Sequence, residues 1–130
     1  MNISIETNAS SVINKLQETC SVFNSNMGKV YRPDGCERLI LFLKDINLPK
    51  PDKYRTIQLI AFLQQLVSYQ GFYDDNLEFV GVENIQIVCS MTSDSGRYAL
   101  SSRFTAIMRI LCVDYPEESE LRKYHIHYNF

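Results

Sequence analysis

Leu39-Ile40-Leu41-Phe42-Leu43-Lys44-Asp45-Ile46-Asn47-Leu48-Pro49 decides how this chain is read. Five apolar residues in a row, Leu39 to Leu43, stop abruptly at Lys44-Asp45. A run this short and continuous predicts a strand buried on both faces, as in a parallel sheet covered by helices. Pro49 and Pro51 keep the next residues out of helix. Helical spacing then resumes: Ile57, Ile60, Ala61, Phe62, Leu66 and Val67, with Leu63 at a flank, give a broad apolar face from about Tyr54 to Tyr69. Gly71 fits the residue just past that helix's C-terminus.

Upstream, Ile3 and Ile5 alternate with polar neighbours and suggest a short strand. Asn8 or Ser10 caps a helix whose apolar stripe is Val12, Ile13, Leu16 and Cys20. Asn26-Met27-Gly28 is a turn signal between Val22-Phe23 and Val30-Tyr31, and Pro33-Asp34-Gly35 is a stronger one. Downstream, Gly71-Phe72-Tyr73, Asp74-Asp75-Asn76 and Leu77 to Val80 read as a second hairpin. Ile85 to Cys89 reads as another buried strand, Ser93 to Gly96 as a loop, and Leu100 to Thr105 as a short helix. Ile107 to Val113 reads as a further strand, and Pro116 opens a last helix with Glu117 and Glu118 favourable for its dipole. Such alternation of strands and helices predicts a three-layer α/β fold with a mainly parallel sheet.

Composition narrows the function classes. The 130 residues are 45% hydrophobic and 22% charged, which excludes a disordered chain. A formal net charge of −2 provides no basic field for bulk nucleic-acid binding. No run is long and apolar enough for a membrane span, and the polar start at Met1 does not read as a secretory signal. Cys20, Cys36, Cys89 and Cys112 form no CxxC pair and read as reduced thiols, with structural zinc the weaker alternative. His125 and His127 read as surface residues rather than metal ligands, and no metal site is expected.

Ligands of a parallel α/β sheet bind beyond the carboxyl ends of the strands. Three polar clusters are expected there: Lys44-Asp45-Ile46-Asn47; Ser90-Met91-Thr92; and Arg97 with Arg103 flanking the short helix. An apolar strand ending in acid is the Walker B arrangement, in which acids support Mg²⁺ and polarise the attacking water. The phosphate-cradling GxxxxGK(S/T) motif does not occur in the sequence, and Gly28-Lys29 has no upstream glycine at that spacing.

From Leu39 through Tyr54, then Ile60 to Gln65, Gly71 to Tyr73, Glu83 to Val88, Gly96-Arg97, Leu100-Ser101, Arg103-Phe104 and Asp114 to Pro116, the chain resembles the third AAA+ module of dynein heavy chains. The Lys44-to-Lys53 stretch, with Val30-Tyr31-Arg32-Pro33 and Tyr69 to Asp74, is most similar to the cytoplasmic class-two group, the motors of retrograde intraflagellar transport.

The resemblance implies a P-loop-type AAA+ large subdomain with sheet order five, one, four, three, two. On that scheme residues 1–130 run from strand two to the helix after strand five, with hairpin insertions near 22–31 and 71–80. The first strand, which carries the phosphate loop, and the helical lid would lie outside the chain. Lys44 and Asp45 stand where most relatives have Asp-Glu: a cation replaces the metal-supporting acid, and the catalytic acid is one methylene shorter. The nucleotide-sensing position falls at Thr92 or Ser90. Arg103 matches the arginine finger, which serves the neighbouring module's nucleotide.

The expected function is therefore that of a motor-ring piece contributing to nucleotide-linked coupling, with no ATPase activity and no cofactor of its own. ATP or ADP and Mg²⁺ belong to the intact module. Implied partners are adjacent AAA+ modules, dynein intermediate and light chains, and microtubules, with no nucleic acid. The implied location is the cytoplasm, the cytoskeleton and the cilium or flagellum axoneme. The alternative is a stand-alone interaction module that docks on a dynein ring or partner.

Overall fold

The structure is a computed structural model, and it describes residues 1–26, 28–119 and 121–122. The elements in chain order are α1 (Ala9–Thr19), β1 (Cys20–Ser25), β2 (Gly28–Pro33), β3 (Leu39–Lys44), α2 (Gln58–Tyr69), β4 (Gly71–Tyr73), β5 (Phe79–Val82), β6 (Ile85–Ser90) and α3 (Ser102–Ala106).

Two sheets share one core. The quoted apolar run forms β3, which pairs in parallel with β6 from Leu39↔Ile85 to Lys44↔Ser90. The second sheet has the order β1-β2-β5-β4. Each expected hairpin forms, β1 with β2 and β4 with β5, both antiparallel. The hairpins join through a parallel β2–β5 pairing that runs from Lys29↔Val80 to Tyr31↔Val82. The core unites Val12 and Leu16 of α1, Leu41 and Leu43 of β3, and Leu59, Leu63 and Leu66 of α2 with residues of the second sheet and Phe104. Phe72 sits among them, with the rings of Phe62 and Tyr31 edge-on at 5.7 and 6.0 Å.

Local chemistry explains the element ends. Asn8, rather than Ser10, caps α1: its side chain accepts from the Ser11 amide, while the Ser11 side chain accepts from the Asn8 amide. The second helix begins at Gln58, not near Tyr54, because Asp52 closes its own turn first. Its Oδ1 accepts from the amides of Tyr54 and Thr56 at 2.8 and 2.9 Å, with Arg55 at φ 62°. The residue that leaves α2 through the left-handed region is Gln70, φ 51°, not Gly71. Gly71 is required for a different reason: a Cβ there would lie 2.5 Å from the Val80 carbonyl oxygen and collide with the Phe79 ring.

Three expectations for the strands are corrected. β3 is buried on one face only: Leu41 and Leu43 point into the core, whereas Ile40 and Phe42 are 61% and 45% exposed. β6 is likewise only half-buried. Helices pack on one side of this pair among the described residues, so a continuous apolar run does not guarantee two covered faces. Ile3 and Ile5 do not form a strand. Asn2 makes one parallel bridge to Lys44, with the Ile3 amide on the Lys44 carbonyl at 3.0 Å, and the chain then turns. Residues 107–113 are not a strand either, and Leu111 and Val113 are 82% and 92% exposed. A β-favouring sequence becomes a strand only when another strand accepts its backbone bonds, and none of the described strands does so. A helical bond from the Leu121 amide to the Glu117 carbonyl follows Pro116. Met27, the remainder of the expected last helix, His125 and His127 lie outside the described residues.

Candidate functional site at the carboxyl end of β3

β3 and β6 end side by side, and the predicted polar residues follow them. Lys44 is exposed. Asp45 takes φ 65°, a left-handed conformation that Asp tolerates better than most residues. It turns the chain across the sheet end, and the Leu48 amide closes the turn on the Asp45 carbonyl at 3.1 Å. The Ile46 amide extends the ladder to the Ser90 carbonyl at 3.1 Å.

Asn47 ties this turn to the segment that follows β6. It is 2% exposed, and its Nδ2 donates to the Thr92 carbonyl at 2.7 Å. Its own carbonyl accepts from the Tyr98 amide at 3.0 Å. Between those two ties lies Arg97, whose Nη2 stands 3.5 Å from Asp45 Oδ1, with both side chains about one-fifth exposed (22% and 23%). Two buried polar atoms here, Asn47 Oδ1 and Arg97 Nη1, have no hydrogen-bond partner among the described residues.

The structure thus places Asp45, Ser90 and Thr92 around one sheet end. Ser90 and Thr92 take part through their backbone carbonyls. Arg103 is exposed on α3 and makes no ion pair among the described residues, whereas Arg97 is paired with Asp45. α3 itself starts at a Ser101 cap, with Phe104 anchoring it in the core. The sequence places Arg97 and Asn47 in polar clusters at the strand ends but does not show what they bind. The short, polar Asp45-Ile46-Asn47 turn after a buried strand was the available signal; the distant partner was not.

These residues do not fit a divalent cation. One carboxylate faces the site, a guanidinium already lies against it, and the residue before it is a lysine. Mg²⁺ favours one or two carboxylates plus phosphate and water oxygens. No group of three or more His, Cys, Asp or Glu that could hold a metal occurs among the described residues. A cavity of 420 Å³ lies at the opposite end of the strands, lined by Arg38, Leu66, Gln70, Ile85, Ile87 and Met108. No helix of the described residues is long and apolar enough to cross a membrane.

The family described as the P-loop containing dynein motor region matches residues 1–116. Cytoplasmic dynein 2 heavy chain 1 of Rattus norvegicus is 55% identical over 124 residues, 94% of this chain and 3% of that protein. The protein of the same name from Chlamydomonas reinhardtii is 50% identical over 93% of the chain, again 3% of the relative. A cytoplasmic dynein heavy chain of Caenorhabditis elegans is 35% identical over 95% of the chain and 3% of its own length. The chain therefore spans about 3% of the length of the curated relatives it matches. With its parallel β3–β6 sheet, its helices and the sequence match together, the chain belongs to the P-loop containing dynein motor region family.

Proposed function

We propose that this chain forms part of the large α/β subdomain of a dynein heavy chain's third AAA+ module, from the second sheet strand onward. On this reading it contributes to nucleotide-linked coupling around the motor ring in retrograde intraflagellar transport, and it does not itself hydrolyse ATP. The observation that carries the reading is the state of the Walker-B-derived end: Lys44 is exposed and Asp45 faces Arg97. Without a second acid or a free carboxylate, Asp45 is poorly placed to support metal or activate water. The 55% identity to a dynein 2 heavy chain supports the class assignment.

ATP or ADP with Mg²⁺ would act in the intact module, supplied with a phosphate loop. Ser90 and Thr92 would stand at the nucleotide-sensing position, and exposed Arg103 would reach the neighbouring module's nucleotide. The partners are then the adjacent AAA+ modules, the intermediate and light chains and microtubules, in the cytoplasm, cytoskeleton and cilium or flagellum axoneme. The test is Arg103→Ala at the matching position of an intact class-two heavy chain. Reduced microtubule-stimulated ATP turnover and slower gliding are expected. Unchanged turnover and gliding would overturn the coupling role.

A further inference from the structure

The disagreement between this sheet end and a metal site has a specific structural source. The Arg97 guanidinium lies 3.5 Å from Asp45 Oδ1, and both groups are mostly shielded from water. The pair is held from both sides. Asn47 accepts the Tyr98 amide next to Arg97 and donates to the Thr92 carbonyl, so the segment bearing Arg97 is stapled to the turn bearing Asp45. Asp45 itself sits in a left-handed backbone conformation, φ 65°, at the turn that leaves β3. Arg97 Nη1 is buried without a partner among the described residues, so the guanidinium occupies a place that costs it one hydrogen bond there.

We propose that Arg97 is a positioning residue that keeps Asp45 engaged with the chain's own cation and so excludes a divalent metal ion from the end of β3. A metal approaching that oxygen would meet a guanidinium already in van der Waals range, with partly buried like charges repelling through a reduced dielectric. The inference rests on the Walker-B-derived reading of Asp45, but it needs neither nucleotide nor ring.

The test uses the full 130-residue chain and Mn²⁺ alone. Paramagnetic broadening of the assigned amides of residues 44–47 and 90–92 is compared with that at the exposed acids Asp75 and Asp114. In the wild type, residues 44–47 are expected to broaden less than either reference. Arg97→Gln is expected to increase the broadening at Ile46 severalfold, Arg97→Lys to leave it near the wild-type level, and adding Asp45→Asn to Arg97→Gln to abolish the gain. Strong broadening at Ile46 in the wild type, or none gained in Arg97→Gln, would overturn the proposal. Loss of folding in Arg97→Gln would assign Arg97 to holding the fold and would equally overturn it. ATP turnover plays no part in these outcomes, so a failure of the coupling reading would be seen separately.

Discussion

Lys29 and Glu78 are 49 residues apart in sequence, yet Lys29 Nζ donates to Glu78 Oε2 at 2.7 Å. Lys29 is the second residue of β2 and Glu78 immediately precedes β5, so this contact clasps the two hairpins beside the parallel seam that joins them. Asp74, whose Oδ1 accepts the amides of Asn76 and Glu78 in the second hairpin's turn, presents Oδ2 to the same ammonium at 3.8 Å. The hydrogen bond to Glu78, and then its charge, hold the Lys29 pKa above the ordinary lysine value of 10.5.

A group with a raised folded-state pKa lends stability that is fully present below its unfolded pKa and is lost as pH rises through the folded one. The Lys29 clasp should therefore act unchanged at neutral pH and fade only above 10.5. Thermal melts of wild type and Lys29→Met across neutral to strongly alkaline pH should show a small deficit for the variant that shrinks at the alkaline end. The pair is exposed, so the deficit at neutral pH should also shrink in high salt.

Gly71→Ala should destabilise the fold by about 1–3 kcal/mol, the usual cost of forcing atoms into a packed region. The new methyl would face the Val80 carbonyl at 2.5 Å across the β4–β5 ladder. Urea denaturation measures it. A neutral result would mean that the two strands can part without loss.

Phe72→Ala should cost about 3–5 kcal/mol, because it removes a large core side chain and leaves a cavity. Phe72 is 1% exposed and joins α2 to the second sheet. Denaturation followed by far-ultraviolet circular dichroism reads the loss. Both sheets should unfold in one transition, since one core serves them.

Burial pushes the Cys89 thiol up to about 11. The thiolate is the reactive form, so Cys89 should resist iodoacetamide at neutral pH. Cys36 and Cys112 are exposed and should be labelled first. Peptide mass spectrometry over a time course gives the order, and early labelling of Cys89 would show that β6 opens readily.

Much of this architecture is legible in local sequence. Asn8 announces α1, the Leu39 run announces β3, and the Gly and Asp-Asn turn signals announce both hairpins. What local pattern cannot carry is pairing between distant segments. Nothing in residues 28–33 says that they pair with 79–82, and the Lys29–Glu78 charge match is one among many in the chain. Apolar runs also overstate burial. Ile40 and Phe42 look like core, but no described element packs on their face. Residues 107–113 look like a strand and lack a partner among the described ones. At the site, Asp45 stood out because an apolar strand ends there. Arg97 stood out only as half of a cluster with Arg103; its pairing with Asp45 was not legible, because an arginine in a polar loop names no carboxylate until the fold brings it there.

The most direct measurement is steady-state phosphate release by the purified chain with Mg-ATP, wild type beside Asp45→Asn. Lys44 and the Asp45–Arg97 pair leave the sheet end without a metal-supporting acid, so both proteins should match the buffer background. Turnover in the wild type that disappears in Asp45→Asn would contradict the account, because it would show Asp45 activating water despite Arg97.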